Sequence, residues 1–514
     1  MLRYYEPYYP DTSRRTSVKL LAIGIIVLLT MSTIVLLLLP TSDTFVPQDQ
    51  LSQVRVAVID SGIDSTKVPA DKIVAQQSFI LTQYGYPFSD TSTRDSHPGG
   101  VPHGSIVAEA VLSMGEGISL INAKVISAEG TATTSAVLEA IRWAVDQNCS
   151  VINLSLGSSP TVDDPLKEAV EYATSHGVLV VSAAGNSGED GLGTGSVTSP
   201  SIYGPAVSVG ALTEEGTPAG YSSIGPAADR YMKPDITAPG YYETSSAIVY
   251  GTSFASPRVA GAAAILISFC VQNDIPWTPG LIKAVLMKTA QPMDYPEYLV
   301  GAGALDLEAA LTMLEGLVDA TEVPLVTYVH PHALPMPFER LFYGDIYNFN
   351  IQIVNSREAE YQVNLTSSTP EVFEVPATVT VDQSGYIPFR ANIPEESNET
   401  TFSAFVAFTN DEDSVNVTVS IHADEAVARV AFDISHSTWA IDTTYGQFRQ
   451  LYTVLTGSGI SVSEIRRGTN ITAEYLSQYD AVLILDPCVY NSNESDPYNE
   501  EEVFYSFTEN ETNA

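Results

Sequence analysis

From Val54 onward, short apolar runs of strand length alternate with amphipathic segments of helix length, and a chain with that rhythm has few ways to bury its strands. VRVAVID (54–60), INAKVI (121–126), SVINLSLG (150–157) and GVLVVSAAGN (177–186) have the composition of strands. Between them, Ser105 to Leu112 reads as the start of a helix and Pro165 to Ser175 as another. Ser135 to Val145 is a third, with Val137, Leu138, Ile141 and Val145 on one face. Strands separated by helices pair in parallel and are covered on both faces, so residues 54–317 are expected to form an α/β domain with a largely parallel sheet flanked by helices.

Sites in such sheets gather at the carboxyl ends of the strands, and the polar motifs of this chain fall there. Asp60-Ser61-Gly62 closes the first strand, where backbone amides can hold a buried carboxylate ionised. His103-Gly104-Ser105 stands at the entry of an apolar helix. Gly251-Thr252-Ser253-Phe254-Ala255-Ser256-Pro257 leads into the long apolar helix VAGAAAILI, which puts a serine hydroxyl where unpaired amides favour developing negative charge. Singly, these are an Asp in a turn, a partly buried His and a helix-capping Ser. Together, in the chain order Asp, His, Ser, they are a candidate catalytic triad. The α/β-hydrolase alternative needs G-x-S-x-G and the order Ser, Asp, His, and the sequence has neither.

DSGID, HGSIVAEA, SAAGNSG and GTSFASPRVAGAA together resemble the four signature segments of the subtilase family of serine peptidases. The resemblance runs from Val54 to about Leu314, and VINLSLG and KPDITAPG agree with it. It implies a subtilisin-like fold, Ser253 as nucleophile, His103 as general base and Asp60 as its orienting partner. Asn186 would be the oxyanion-hole side chain, working with the backbone N–H of Ser253. Ser155, Leu156 and Gly157 would pair with an extended polypeptide substrate, and Ala183, Ala184 and Gly185 would wall its primary pocket. No cofactor is required for that chemistry; structural calcium is compatible with it, but no calcium site is identifiable. Glu189 and Asp190 follow the oxyanion Asn and read as a solvated loop. Two positions depart from the family pattern: Ile106 stands three residues after His103 in place of a frequent second histidine, and Arg258 stands where many members have His. About a dozen residues separate Pro40 from Val54, too few for the family's inhibitory propeptide. The expectation is that the chain folds without one, uses a folding or activating partner, or represents an incomplete gene.

Leu20 to Leu39 is an uncharged apolar run of 20 residues, enough at about 1.5 Å per residue to cross a hydrocarbon core of about 30 Å. It ends in Leu39-Pro40 without a small-residue cleavage pattern, which favours an uncleaved signal anchor. Arg14, Arg15 and Lys19 precede it, so residues 1–19 are expected in the cytoplasm and everything after Pro40 outside the cell membrane, or in a lumen in a eukaryote. With 23 Lys plus Arg against 61 Asp plus Glu, the formal charge of −38 repels nucleic acid and anionic headgroups. Cys149, Cys270 and Cys488 lie in or beside apolar runs and read as buried small hydrophobes rather than a disulfide framework. Glycosylation acceptors at Asn364, Asn398, Asn416, Asn470, Asn493 and Asn510 agree with an external placement; Asn153, in an apolar strand, does not count among them.

A linker of residues 40–53 joins the anchor to the catalytic domain. Beyond it, proline-spaced VPLVTYVHPHALPMPF leads into alternating runs over 324–424, expected as an antiparallel β-sandwich in which His330, His332 and His422 are scattered rather than metal-binding. Residues 426–490 read as a small, partial α/β module and 491–514 as an acidic tail. The module resembles, in its D-x-x-H start, YGQF helix and YDAVLILD strand, the domain after the catalytic part of site-1 protease. The whole is expected to be a membrane-anchored serine endopeptidase acting on extracellular or lumenal polypeptides. A scaffold protein that keeps the fold without the activity is the rival from another class.

Overall fold

The computed structural model describes residues 2–3, 54–97, 101–160, 164–188, 195–227, 230–244, 247–435, 448–466 and 468–484. The expected membrane span, the linker at 40–53, Glu189, Asp190, Cys488 and the acidic tail lie outside these residues.

Seven strands form the central sheet: β1 (Val54–Asp60), β2 (Ile73–Ser78), β3 (Ile118–Lys124), β4 (Val151–Leu154), β5 (Leu179–Ala183), β6 (Val207–Leu212) and β7 (Ile236–Pro239). Their order is β2-β3-β1-β4-β5-β6-β7 and every pairing is parallel. The chain builds β2 and β3 on one side of β1 and then crosses to β4 on the other, so the strand order reverses at β1 and opens a crevice at its carboxyl end. INAKVI leaves the ladder earlier than its composition suggests. The amides of Val125 and Ile126 both turn to the carbonyl of Asp60, at 2.8 and 3.1 Å, and β3 ends at Lys124.

Alternate residues of β1 face two helical layers. Val54, Val56 and Val58 join α1 (His103–Leu112), α4 (Thr252–Gln272) and α5 (Pro279–Lys288) in one core. Ala57 and Ile59 join α2 (Thr134–Asp146) and α3 (Pro165–Ser175) in the other. Thr133 caps α2 by accepting from Ala136 N, and Asp164 caps α3 ahead of Pro165 at its first position. Helix α4 is long and apolar enough to cross a membrane by length and composition, but it is buried inside this domain and serves as its central core helix. Cys149 and Cys270 are buried and free, in keeping with the reading of them as small hydrophobes.

Two sheets occupy residues 327–424, antiparallel as expected except where the short strands Ala333–Leu334 and Leu341–Phe342 each pair parallel with Ser414–Asp424. One contains β10 (Thr327–His330), β11 (Ile346–Asn355) and β14 (Ser384–Asn392); the other contains β12 (Ala359–Ser367), β13 (Thr378–Val381), β15 (Thr401–Thr409) and β16 (Ser414–Asp424). Inward residues such as Tyr347, Phe349, Phe389, Phe402 and Phe408 fill the space between them, and outward positions on β15 and β16 alternate with them. Distally, β17 (Ala428–Asp433) lies between β18 (Ile460–Ile465) and β19 (Ala481–Ile484) in a parallel three-stranded sheet. Leu2 and Arg3 pair antiparallel with Thr131 and Ala132. A hairpin of β8 (Tyr241–Glu243) and β9 (Ile248–Tyr250) delivers the chain into Gly251.

Candidate active site

Asp60 is the last residue of β1 and His103 the first of α1, and the crevice brings them together fully buried, at 1% and 0% exposure. His103 Nδ1 lies 2.7 Å from Asp60 Oδ1, which also accepts the Ser61 amide at 2.7 Å. The ring is thereby oriented with Nε2 away from the carboxylate. Gly104 makes the approach possible: a Cβ there would stand 2.3 Å from the carbonyl oxygen of Gly62 and 3.2 Å from Asp60 Cβ. The His103 ring packs on Phe254, with centroids 5.6 Å apart, so the residue after Ser253 fixes the histidine against the start of α4.

Ser253 sits in the first turn of α4 with its Oγ 3.2 Å from the carbonyl of Ser155. A proline four residues later has a local consequence. Pro257 has no N–H to offer the Ser253 carbonyl, and that carbonyl accepts Ser155 Oγ at 2.9 Å instead. Ser155 Oγ in turn receives Asn153 Nδ2 at 3.0 Å, and Ser256 Oγ donates to Asn153 Oδ1 at 2.8 Å. The buried network ties the end of β4 to α4, and it explains why Asn153 is a packed strand residue with no exposure.

Asn186 lies just beyond β5. Its Oδ1 accepts both the Thr252 amide and Thr252 Oγ1, each at 2.9 Å. The Thr252 amide can only donate, so it must face the oxygen of the side chain, and Nδ2 is directed toward the nucleophile loop; a Cβ on Gly251 would stand 3.3 Å from it. The Thr252 hydroxyl also accepts the Gly185 amide at 3.2 Å. One hydroxyl therefore joins the Ala183–Gly185 segment to the candidate oxyanion donor.

The structure brings Asp60 to His103, Ser253 to Ser155, and Asn186 and Gly185 to Thr252, at the carboxyl ends of β1, β4 and β5. Ser155, Leu156 and Gly157 follow β4, Ala183 ends β5, and Ala184 and Gly185 follow it, all buried. Three residues were not singled out from the sequence. Asp95 accepts the Ser105 amide and Ser105 Oγ on Oδ2, both at 2.8 Å, and Ser61 Oγ on Oδ1 at 2.8 Å, so it braces the neighbours of both Asp60 and His103. Burial pushes its carboxyl above the usual range, against the lowering effect of those bonds. The His97 ring lies 5.7 Å from that of His103, and Thr252 is the bridge just described. Asp95 and His97 come from the polar stretch TSTRDSHPGG, whose lack of periodicity carries no signal of burial.

The departures at Ile106 and Arg258 are also accounted for. Ile106 packs with Val249 and Phe254 in a small apolar cluster, and Arg258 Nη2 donates to the Tyr241 carbonyl at 3.1 Å. Among the described residues no group of three or more His, Cys, Asp or Glu side chains converges as a metal-holding set.

The family model described as the subtilase family matches residues 52–304. Subtilisin NAT of Bacillus subtilis subsp. natto is 35% identical over 260 residues, covering 50% of this chain and 66% of its own length. Subtilisin of Bacillus pumilus is 34% identical over 260 residues, covering 50% of this chain and 91% of its own. Subtilisin Savinase of Lederbergia lenta is 34% identical over 269 residues, again 50% of this chain and 91% of its own. The chain thus spans about two thirds of the length of the first relative, and the sandwich and distal module lie beyond the matched residues.

Proposed function

This chain belongs to the subtilase family, and from that premise we propose that it is a membrane-anchored serine endopeptidase cleaving extracellular or lumenal polypeptides through an acyl-enzyme. What carries the proposal is the fully buried Asp60–His103 pair, whose imidazole packs on Phe254, the residue that follows Ser253 in the first turn of α4. Ser253 Oγ attacks the scissile carbonyl as its proton passes to His103 Nε2, and Asp60 steadies the imidazolium through Nδ1. Asn186 Nδ2 and the Ser253 amide donate to the oxyanion, and the water-excluded setting strengthens both bonds. His103 then protonates the departing amine as the C–N bond breaks, and water repeats the sequence to release the acid. Residues 155–157 pair with the extended substrate while Ala183, Ala184 and Gly185 wall the pocket for the side chain before the scissile bond.

Anchoring is supported by the uncharged run 20–39 and the basic residues Arg14, Arg15 and Lys19 ahead of it. Tethering at one surface raises the effective concentration of membrane-bound substrates without new contacts. One chain cannot hold Leu2–Arg3 against Thr131–Ala132 while residues 20–39 cross a bilayer once between them, so insertion requires that two-residue pairing to be released. The likeness of the distal module to that of site-1 protease, and a folding or activating partner, belong to the same proposal.

A fluorophosphonate probe tests the chemistry. Wild type should be labelled and Ser253→Ala should not; a folded wild type that resists labelling means the rival scaffold role. Alkaline extraction of membranes followed by external protease tests the topology, and a catalytic domain that washes off or is shielded on the cytoplasmic side refutes it.

A further inference from the structure

Tyr386 carries a contact from the β-sandwich to the neighbourhood of the candidate site. Tyr386, on β14, packs against a buried cluster of Ala184, Val197, Ile202, Ala227 and Tyr231. Its ring lies 4.3 Å from that of Tyr231 at an interplanar angle of 35°. Ala184 belongs to the expected wall of the primary pocket, and the cluster links the two directly. Tyr231 Oη donates to the Ile202 carbonyl at 2.8 Å, and Thr198, in the same loop, donates from both N and Oγ1 to the Ala184 carbonyl, at 2.9 and 3.2 Å. That loop also touches the expected substrate strand. Ser158 and Ser199 exchange backbone bonds of 3.0 and 2.9 Å, and a Cβ on Gly157 would stand 2.5 Å from Thr198 Oγ1.

The loop has no slack on the sandwich side. A Cβ on Gly204 would stand 2.4 Å from Tyr386 Oη, and buried Lys283 Nζ holds the Gly204 and Ala206 carbonyls at 2.7 and 2.9 Å. The Arg230 carbonyl, beside Tyr231, accepts the Asn350 amide from β11 at 2.7 Å, a second tie to the same sheet as Tyr386. Segment 195–204 is thus held between the two expected substrate-binding strips on one face and the sandwich on the other.

We propose that Tyr386 is a positioning residue for substrate specificity: the sandwich sets the shape of the primary pocket by pressing through Tyr231 and the 195–204 loop onto Ala184. This rests on Ala183–Gly185 being that pocket's wall. It gives the sandwich a part in choosing substrates without touching them, since a side chain seated in a close-packed wall is sensitive to displacements of a fraction of an ångström.

The full chain is assayed as Tyr386→Ala, Tyr386→Phe and Gly204→Ala, on tetrapeptide anilides identical except for Ala, Leu or Phe before the scissile bond. Fluorophosphonate labelling is measured alongside as a readout of Ser253 that does not depend on filling the pocket. Tyr386→Ala should change the Phe-to-Ala ratio of kcat/KM by about 10-fold, the scale of a small change in an apolar pocket, chiefly through KM. Labelling should persist, Tyr386→Phe should restore the ratio, and Gly204→Ala, which pushes on the same contact from the other side, should shift it too. Should Tyr386→Ala not fold, the Gly204→Ala ratio decides. Ratios within about twofold of wild type, with activity toward all three substrates falling in step, would overturn the proposal and leave Tyr386 a stabilising contact. A wild type that resists the fluorophosphonate would instead sink the peptidase assignment itself.

Discussion

Thr252→Val isolates the positioning of the oxyanion donor from the donor itself. Valine has nearly the shape of threonine, so the change removes a hydroxyl from a packed site and little else. Two bonds disappear: Gly185 N loses its 3.2 Å acceptor, and Asn186 Oδ1 loses one of its two 2.9 Å donors while keeping the Thr252 amide. A buried N–H left without a partner costs about 1–3 kcal/mol, which should appear in urea unfolding. The bond to Asn186 is a neutral one worth about 0.5–1.5 kcal/mol. If it serves to hold Nδ2 in place, its loss lowers kcat by about 2- to 13-fold, at 1.36 kcal/mol per decade. Asn186→Ala removes the donor outright and should cost about 10²- to 10³-fold, the magnitude attached to the equivalent amide in subtilisin.

The double variant makes the argument refutable. Thr252 acts on catalysis through Asn186, so Thr252→Val should leave kcat unchanged in an Asn186→Ala background, while its stability cost persists in full. Initial rates on a saturating peptide anilide give the kcat cycle, and urea midpoints give the stability cycle. Thr252→Ser, which keeps the hydroxyl, should restore both. Equal kcat penalties for Thr252→Val in the wild-type and Asn186→Ala backgrounds would show that the hydroxyl acts elsewhere, and no penalty in either would show that the Thr252 amide alone positions the donor.

Two further outcomes concern the framework. Asp235 is fully buried between Lys233 Nζ at 2.6 Å and Lys283 Nζ at 3.2 Å, so Asp235→Asn leaves two buried lysines facing a neutral amide and should cost about 3–5 kcal/mol of unfolding free energy. A loss under about 1 kcal/mol would mean that the cluster does not depend on its charge. The second is a pH dependence. Burial drives the His330 imidazole down from 6.5 to about 4, so the unfolded chain takes up a proton there that the folded one refuses. The stability His330 contributes is then full above pH 6.5 and lost as pH falls toward 4, on the order of 3 kcal/mol across that interval. His332 opposes it: its hydrogen bond to Glu297 raises its imidazole, adding stability below 6.5 that is lost as pH rises through the raised value. His330→Gln should therefore flatten the decline of the urea midpoint between pH 6.5 and 4. An unaltered slope would assign the decline to the carboxylates.

Much of the fold was written in local pattern. Apolar runs flanked by amphipathic segments defined β1, β3, β4 and β5 and helices α2 and α3, because burial on both faces of a parallel sheet demands those compositions. Asp60, His103 and Ser253 could be picked out as candidates because each closes a strand or opens a helix, whereas Asn186, three residues beyond β5, was picked out only by the resemblance of SAAGNSG to a family segment. Asp95 and His97 were not. Each sits in polar chain, and its importance arises from a partner brought close by the crevice, such as Ser61, 34 residues from Asp95. Tyr386 was illegible for the same reason at longer range: in YIPFRANI it is one more aromatic of an alternating strand, and only the docking of the sandwich against Gly204 gives it a neighbour in the catalytic domain.

The two departures from the family pattern turn out to be one feature. Ile106 lies one turn beyond His103 on α1, and Arg258 lies just over one turn beyond Ser253 on α4, so each follows a proposed catalytic residue on its own helix. Both meet the Tyr241–Tyr250 hairpin. Ile106 packs on Val249 of β9, and Arg258 donates to the Tyr241 carbonyl of β8 with its guanidinium 5.9 Å from the Tyr241 ring. Tyr242 Oη closes the arrangement by donating to Glu109 of α1 at 3.4 Å. The hairpin leads without a break into Gly251 and Thr252, so whatever holds it also sets where Ser253 emerges. An imidazole at 106 would have to be buried among Val249 and Phe254, whereas isoleucine fills that space at no desolvation cost. The residues that mark this chain as divergent thus align its nucleophile through apolar packing and one half-buried cation, while the groups proposed to act on the peptide bond stay as the family has them.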